Sequence, residues 1–367
     1  MRHFSLIGEV RARSGGYVAF GCWLLLVCSS GGAAGRIAGA GAVASTPRAL
    51  GTRGVGGAGG SGGAGRVSAT GGASGNEGGG GAGQKGSRGG SAARIDRVFV
   101  IMEENHPWSS FASLPFVSSI LPVAARAANY TSPGTHPSLL NYLDLEAGSP
   151  VGVRDDADPN SHQILTPAHL SNLLERAGIS WTSWQESIAD GLCPLTSNGQ
   201  YAAKHNAFVY FADSTGNLNV HDPYCVAHNR SLDITTAAGD FAIALGNDTI
   251  AKYNFITPNL CNDAHDCDPS VADAWLGKIV PMISSSHTCT RHTCAIFIIA
   301  DESGEGWGDA PVICLALSPN AKAGYVNQVH YTHYSLLRTV EEIFGVTPLL
   351  GNAATSPNMG DLFRTFP

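Results

Sequence analysis

Between residues 94 and 367, apolar runs alternate with segments in which apolar residues recur at helical spacing. The predicted strands, several of them continuous apolar runs typical of burial on both faces of a parallel sheet, are residues 97–102, 180–184, 253–259, 295–300 and 312–317. The predicted helices are residues 112–128, 139–148, 169–179, 271–284 and 333–344. This alternation predicts an α/β fold, a three-layer α/β/α sandwich with a mostly parallel central sheet.

The first 93 residues lack this pattern, and the chain divides there. Basic residues ahead of an apolar run from Tyr17 to Cys28 are typical of a secretory signal, so residues 1–44 are the predicted signal region. The run is too short to span a bilayer. Residues 45–93 are rich in Gly and predict a flexible linker, and residues 94–367 are the predicted catalytic domain. A lipid anchor on Cys28 is an alternative, although the residue before it is not small.

Acidic residues dominate the region after the linker. The chain carries 22 Lys and Arg residues and 29 Asp and Glu residues. Residues 1–93 hold nine of the basic residues and two of the acidic ones. The rest of the chain therefore holds 13 basic and 27 acidic side chains, a net charge near −14. Such a surface repels a nucleic-acid backbone, so nucleic acid is excluded as a partner. An anionic substrate would need a local positive centre, which a metal ion can supply.

Seven cysteines follow the signal region, and in an exported protein they are expected to form disulfides. The expected pairs and the expected buried free thiol are Cys193–Cys225, Cys261–Cys267, Cys289–Cys294 and Cys314. A zinc site near His265, His287 and His292 is the alternative, but the spacings match no standard zinc module. Signal and cysteines together predict a secreted or extracytoplasmic protein, periplasmic or at the cell surface.

Carboxylates and amides follow three of the predicted strands directly. Glu103, Glu104 and Asn105 follow the first strand, residues 260–268 follow the strand at 253–259, and Asp301 with Glu302 follow the strand at 295–300. Ligands bind beyond the carboxyl ends of strands in open α/β sheets. Adjacent carboxylates repel one another unless a cation lies between them, and hard cations prefer oxygen ligands. These strand ends therefore predict a cation site.

Ser138 lies at the start of a leucine-rich helical segment, directly after Pro137. The first turn of a helix offers free N–H groups and a dipole that favour an anion. We therefore expect Ser138 to be a nucleophile presented to a phosphate. Its neighbours Thr135 and His136 are expected to shape the loop.

Five motifs in this order make the chain similar to the phosphoesterase family, which groups bacterial acid phosphatases with phosphocholine-type phospholipases C. The motifs are residues 102–106 (Met-Glu-Glu-Asn-His), 135–142 (Thr-His-Pro-Ser-Leu-Leu-Asn-Tyr), 204–208 (Lys-His-Asn-Ala-Phe), 257–266 (Thr-Pro-Asn-Leu-Cys-Asn-Asp-Ala-His-Asp) and 301–302 (Asp-Glu). The resemblance extends from residue 97 to about residue 363. The resemblance implies that the chain is a member of the alkaline-phosphatase-like superfamily and has the fold of that superfamily.

The resemblance also implies site residues and a mechanism. One divalent cation would be bound by Glu104, Asn105, Ser138, Asp301 and Glu302, with Mg²⁺, Ca²⁺, Mn²⁺ and Zn²⁺ left open. The Ser138 hydroxyl would attack phosphorus, giving a phosphoserine that water hydrolyses. By the same resemblance, the residues that contact substrate are Asn141, His205 and His265. Either histidine would bind phosphoryl oxygens or protonate the leaving group, and His265 is the expected catalytic one.

The compact Pro-Ser-Leu-Leu-Asn-Tyr motif is more similar to the acid phosphatases than to the phospholipases. We therefore expect a monomeric phosphomonoesterase acting on a small phosphorylated substrate. A phospholipase C-like phosphodiesterase and a non-catalytic, tethered phosphate- or cation-binding protein are the alternatives. A carboxyl-ester hydrolase is a weaker one, because the chain lacks the Gly-x-Ser-x-Gly elbow. Asp309 stands where many family members have a His, which affects the expected metal preference or pH optimum.

Overall fold

A computed structural model describes residues 94–304 and 310–367 of the 367-residue chain. The predicted signal region, the predicted linker and Asp309 lie outside these residues, so those three predictions stay predictions. No helix in the described part of the chain is long and apolar enough to cross a membrane.

Eight strands form one sheet. They are β1 (Arg97–Glu103), β2 (Ala125–Tyr130), β3 (Trp181–Gln185), β4 (Asn229–Ser231), β5 (Tyr253–Thr257), β6 (Cys294–Ala300), β7 (Cys314–Leu317) and β8 (Val326–Tyr331). Their order across the sheet is β4-β3-β5-β1-β6-β7-β2-β8. Every neighbouring pair is parallel except the two pairs that include β7, which runs antiparallel to β6 and β2. The prediction of a mostly parallel sheet is confirmed.

The helices pack in two groups. They are α1 (Trp108–Phe111), α2 (Pro115–Ile120), α3 (Ser138–Ala147), α4 (Leu170–Arg176), α5 (Pro223–His228), α6 (Asp240–Gly246), α7 (Pro269–Ser284), α8 (His287–Arg291) and α9 (His333–Phe344). Helices α3, α4 and α9 contact one another, whereas α7 contacts α1, α2 and α8. Between them, the central strands β1 and β6 are buried along almost their whole length. Apolar runs covered on both faces give the predicted three-layer sandwich.

Residues 112–128 differ from the predicted single helix. The segment contains the short helix α2 and then enters β2 at Ala125. In β2 only Ala125, Ala127 and Tyr130 are buried, so this strand lacks the continuous apolar run that identified the central strands. Strand β8, which the sequence did not predict, is the mostly exposed neighbour of β2 at the edge of the sheet. Edge strands with few buried residues carry a weak sequence signal.

The cysteines pair as expected. The three disulfides and the buried free thiol are Cys193–Cys225, Cys261–Cys267, Cys289–Cys294 and Cys314. The alternative of a cysteine-bound zinc ion between residues 261 and 294 is therefore wrong, because all four cysteines of that stretch are oxidised. The first disulfide closes a loop in the long segment between β3 and β4, and this loop contains residues 203–205.

Candidate active site

Three neighbouring strands deliver acidic side chains to one edge of the sheet. β1 lies between β5 and β6, and because all three are parallel their carboxyl ends meet. Glu103 and Ala300 are register partners, so Glu104 and Asp301 each follow their strand by one residue. The loop after β5 contributes Asp263, whose backbone carbonyl accepts a 2.8 Å hydrogen bond from Glu104 N. This is the edge at which the sequence predicted a cation site.

Ser138 is the first residue of α3 and lies beside this acidic cluster. The residue is 2% exposed, and its Oγ is 3.5 Å from Oε2 of Glu104. Pro137 is extended and provides no side-chain cap, so the first amides of α3 need another acceptor. Asp156 supplies one, since its Oδ1 accepts a 3.0 Å hydrogen bond from Leu139 N. The helix start therefore holds the serine hydroxyl against a carboxylate.

Asp301 is buried with one oxygen bonded and the other free. Its Oδ1 accepts hydrogen bonds from the backbone N of Asn105 at 3.1 Å and of Glu302 at 2.6 Å. Its Oδ2 is buried and has no hydrogen-bond partner among residues 94–304 and 310–367. Burial, and next the charge of Glu302, raises the pKa of Asp301 to about 7. A buried carboxylate oxygen without a donor is costly unless a cation neutralises it.

Glu104 is also fully buried. Burial, followed by the charges of Asp301 and Asp263, raises its pKa well above the ordinary value. The phenol of Tyr142 donates a 2.5 Å hydrogen bond to Oε1 of Glu104, which opposes part of that rise. Glu104 and Asp301 thus crowd one another in a site that excludes water.

Glu302 is held by two side chains. Its Oε2 accepts a 3.1 Å hydrogen bond from Nδ2 of Asn141 and lies 2.5 Å from Nδ1 of His136. The other amide hydrogen of Asn141 goes to the carbonyl of Thr135, and its Oδ1 accepts from the hydroxyls of Ser132 and Thr135. Thr135 shapes this loop as expected, whereas His136 also contacts a predicted metal ligand. Asn141 is fully buried and connects α3 to Glu302.

Two histidines border the same cluster. His205 is buried, with Nε2 3.2 Å from Oε1 of Glu104 and Nδ1 3.4 Å from Oδ2 of Asp263. Burial, together with the charges of Lys204 and His265, lowers the pKa of His205 well below its usual value, so the ring is neutral. The His265 side chain is 24% exposed, and its ring centroid lies 5.4 Å from that of His205.

The donor chemistry at the strand ends fits a hard divalent cation. Glu104 and Asp301 bring two buried carboxyl groups into contact, no amide, alcohol or cationic group of the described residues donates to Oδ2 of Asp301, and Glu302 is the next residue in the chain. Asn105 is half-buried and adopts a φ of 53°, while its backbone N binds Asp301. These four residues and Ser138 are the ones that could hold the cation.

A second group of potential metal-ligand atoms lies at the same edge of the sheet. One atom each from Glu104, His205 and His265 lies within 4.8 Å of the other two. Nε2 of His265, however, is 3.2 Å from the ammonium of Lys204, so its lone pair already accepts a hydrogen bond. The adjacent ammonium charge also repels a cation. The oxygen-rich group is therefore the better candidate metal centre.

Several residues at this edge were not expected from the sequence. Tyr142 lies one helical turn after Ser138, a spacing that places both on one face of α3 and could have revealed it. Asp263 stands in the polar stretch after β5 but was not singled out there. Lys204 adjoins His205 in the motif at residues 204–208, which could have revealed it, whereas Asp156 reaches the site from a distant loop that no local pattern signals. Asp309 lies outside the described residues.

Comparison with known proteins identifies the family of the chain. A model of the phosphoesterase family matches residues 112–347. A phosphatidylinositol-3-phosphatase from Mycobacterium tuberculosis is 25% identical over 269 residues, which are 72% of this chain and 82% of that protein. An acid phosphatase from Aspergillus fumigatus is 29% identical over 231 residues, 59% of this chain and 47% of that protein. A probable acid phosphatase from Kluyveromyces lactis is 26% identical, with 68% and 58% covered. The chain spans about half the length of these fungal relatives.

Solved structures share the fold at low sequence identity. One, from work on glycosaminoglycan metabolism by Bacteroides thetaiotaomicron, has a TM-score of 0.51 at 11% identity and covers 74% of this chain and 82% of that chain. A protein in the alkaline phosphatase superfamily from Vibrio parahaemolyticus has a TM-score of 0.49 at 11% identity, with 74% and 72% covered. The Bacteroides thetaiotaomicron structure supports the fold assignment and carries no information on function. Because the family model matches well over half of the chain, the protein belongs to the phosphoesterase family, whose members hydrolyse phosphoric esters.

Proposed function

We propose that the protein is a metal-dependent phosphomonoesterase with Ser138 as its nucleophile. The observation that carries the proposal is the position of the Ser138 hydroxyl, buried at the start of α3 and 3.5 Å from Oε2 of Glu104. A nucleophile needs a small, directed side chain at a site where charge on phosphorus can be offset. The contact of Ser138 Oγ with Glu104, one of the predicted cation ligands, at the start of a helix supports this role.

The cation ligands and Ser138 would have separate roles in the reaction. A divalent cation held by Glu104, Asn105, Asp301 and Glu302 with Ser138 would lower the pKa of the hydroxyl and offset charge on a phosphoryl oxygen. Ser138 Oγ loses its proton to solvent and forms a bond to phosphorus while the bond from phosphorus to the ester oxygen breaks, and that oxygen takes a proton from protonated His265. Water then attacks the phosphoserine and gives a proton back to His265, the Oγ–P bond breaks, and Ser138 Oγ takes a proton from solvent as inorganic phosphate leaves.

The histidines are proposed to handle the proton and the phosphoryl oxygens. His265 is partly exposed and its Nδ1 is 2.8 Å from Oδ1 of Asp266, which orients the ring. We assign to it the proton that the departing alcohol receives. Neutral, buried His205 contacts phosphoryl oxygens. Asn141 stays a predicted substrate contact, and its bond to Glu302 gives it a second role in holding that carboxylate.

A small phosphomonoester is the favoured substrate class. Relatives of the chain are named acid phosphatases and a phosphatidylinositol-3-phosphatase, both of which release phosphate from monoesters by name. The compact motif around Ser138 favours the same class. Phosphodiester cleavage is the second candidate, because the family as a whole is named only for phosphoesters.

The decisive variant is Ser138→Ala. It should lower kcat/KM for p-nitrophenyl phosphate by at least about 10³-fold, as loss of a nucleophile does, and leave the melting temperature close to that of the wild type. Ser270→Ala is the matched control, since Ser270 is an exposed serine in the first turn of α7. If kcat/KM of Ser138→Ala stays within tenfold of the wild-type value, Ser138 is not the nucleophile. Wild-type turnover of bis(p-nitrophenyl) phosphate but not of the monoester would favour the diesterase.

An extracytoplasmic location and a monomeric state are also part of the proposal. Three disulfides in the described part of the chain are the observation that supports export, because such bonds persist in oxidising compartments. Tethering to a surface through lipid on Cys28 remains the alternative to free secretion. Mass measurement of the exported protein distinguishes the two, and size-exclusion chromatography with light scattering tests the monomer.

A further inference from the structure

Lys204 lies in the candidate active site without a role in the mechanism above. Its Nζ is 3.1 Å from Oδ2 of Asp156 and 3.2 Å from Nε2 of His265. The Lys204 side chain is 19% exposed, so the ammonium is largely enclosed but still open on one side. An ammonium has three protons to donate, and two of these positions are used by the contacts just named.

Asp156 connects this ammonium to the helix that carries Ser138. Its Oδ2 accepts from Lys204, and its Oδ1 accepts a 3.0 Å hydrogen bond from Leu139 N. One carboxylate therefore bridges the lysine and the first turn of α3. Because both contacts are to one rigid group, Lys204 is held next to the residue that follows Ser138.

The charge of Lys204 also reaches the acidic cluster. The ion pair with Asp156 and the charges of Glu104 and Asp301 outweigh partial burial and raise the pKa of Lys204, so it is cationic. The other ion-paired Lys and Arg of the described residues bond to acids outside the site; these pairs are Arg97–Asp96, Arg230–Asp240, Arg291–Asp248, Lys322–Asp361 and Arg338–Glu342. In a domain this acidic, a cation beside the nucleophile is the element an anionic substrate requires.

A purely structural ion pair would explain Asp156 but not His265. A salt bridge between Lys204 and Asp156 needs no third partner, yet Lys204 also donates to His265, which is partly open to solvent. A phosphoryl oxygen entering here could replace His265 Nε2 as the acceptor of the Lys204 proton. That exchange would free Nε2 to take up a proton from solvent, which His265 then gives to the departing ester oxygen.

We propose that Lys204 is a substrate-binding residue that contacts a non-bridging phosphoryl oxygen and sets the preference for monoesters over diesters, with Asp156 as its positioning residue. The inference rests on the proposed function. A phosphomonoester carries close to two negative charges at neutral pH, whereas a diester carries one. An ammonium that Asp156 fixes to the first turn of α3 therefore interacts more strongly with the monoester, and its contribution falls when one oxygen is esterified.

The test compares Lys204→Met and Lys204→Arg with the wild-type enzyme in its metal-loaded form. Substrates are p-nitrophenyl phosphate and bis(p-nitrophenyl) phosphate, and inorganic phosphate is the inhibitor. We expect Lys204→Met to lower kcat/KM for the monoester about 30-fold and for the diester less than about 5-fold. The inhibition constant for phosphate should rise about tenfold or more. Lys204→Arg should recover most of the monoester activity, since it keeps the charge.

Controls separate this inference from general damage and from the proposed function. Lys322→Met removes a lysine that is paired with Asp361 at 2.9 Å, and should change neither the ester ratio nor phosphate inhibition. Asp156→Asn should raise KM for the monoester more than it lowers kcat. An unchanged ester ratio and unchanged phosphate inhibition in Lys204→Met would overturn the inference while leaving Ser138 intact. A wild-type protein inert toward both esters would instead overturn the proposed function.

Discussion

The phenol of Tyr142 donates a hydrogen bond to Oε1 of Glu104, with 2.5 Å between the two oxygens. Tyr142 also stacks on His205, with ring centroids 5.1 Å apart and planes inclined by 7°. One aromatic side chain on the helix of Ser138 therefore fixes both a predicted metal ligand and a predicted substrate contact. A carboxylate that binds a metal depends on such partners for its orientation.

Tyr142→Phe should separate these two roles. The variant keeps the ring that stacks on His205 and removes only the hydroxyl that binds Glu104. We expect metal affinity to fall about tenfold, within the range seen when such a supporting group is lost. Isothermal titration with Mg²⁺ and Mn²⁺ measures this, and the melting temperature in chelator should stay near that of the wild type. Equal metal affinity in both proteins would contradict the assigned role of Tyr142.

Removal of divalent cations should abolish turnover and lower stability. Glu104 and Asp301 are buried next to each other, and a bound cation compensates charges that burial otherwise disfavours. A cation that binds only the folded protein also stabilises it by mass action. We expect added cation at 100 times its dissociation constant to raise the unfolding free energy by about 2.7 kcal/mol, visible in a thermal melt. Asp301→Asn should lose most of this shift, and a shift that survives in Asp301→Asn would place the metal elsewhere.

Gly304→Ala should damage the loop that follows Glu302. Gly304 has a φ of +81°, and a Cβ there would lie 2.4 Å from the backbone oxygen of Asn105. The alanine therefore pushes apart two loops that both carry predicted metal ligands. We expect kcat/KM to fall at least about tenfold and stability to fall by about 1–3 kcal/mol.

Gly178→Ala provides the matched control for this steric effect. Gly178 has a φ of +67°, but a Cβ there would meet nothing within 4 Å. It carries the backbone strain without the clash, so stability should fall by about 1 kcal/mol with activity unchanged. Similar losses of activity in the two variants would show that backbone strain alone, and not contact with Asn105, explains the Gly304 result.

His169 should make the stability of the fold depend on pH. It is buried between Glu146 and Asp213, with its ring nitrogens 3.0 Å from an oxygen of each. Burial alone would lower its pKa, but the hydrogen bonds and charges of Asp213 and Glu146 outweigh it and raise the pKa to about 9. The folded protein therefore holds a proton that the unfolded chain releases near pH 6.5.

The sign of the effect follows from linkage. A raised folded-state pKa stabilises the protein fully below about pH 6.5, and the stabilisation is lost as pH rises toward 9. We expect urea unfolding to show a fall on the order of 2–3 kcal/mol across this range that is absent in His169→Gln. Parallel pH profiles for the two proteins would mean that His169 is neutral in the fold. Comparing the profiles between pH 7 and 9 reduces overlap with buried acids such as Asp144, whose pKa burial raises to about 7.

The sequence predicted the centre of the fold better than its margin. Strands β1 and β6 are buried on both faces, so their composition alone identifies them. Strand β2 lies beyond the antiparallel β7, and only three of its residues are buried. Its sequence pattern therefore predicts the end of a helix and not a strand. Tertiary pairing decides the conformation of such segments, and single-sequence patterns do not contain it.

The same contrast between central strands and peripheral segments applies to the candidate site. Glu104 and Asp301 could be predicted to meet because each directly follows a central parallel strand. The contact between Lys204 and Asp156 could not, because it joins residues 48 positions apart and Asp156 lies in no recognised motif. The roles of these residues stay predictions until the variants above are measured.

The position of β1 in the sheet has a consequence for the order of events when the chain folds. β1 pairs with β5 and β6, whose residues follow about 150 and 200 positions later in the chain. Glu104 therefore has no neighbouring Asp301 until almost the whole domain has been synthesised and docked, and contacts of such long range form slowly. An exported chain that crosses a membrane unfolded would carry no hydrolytic site on the inner side. Folding itself would then switch the activity on, after the chain has left the compartment that holds the cell's own phosphate esters.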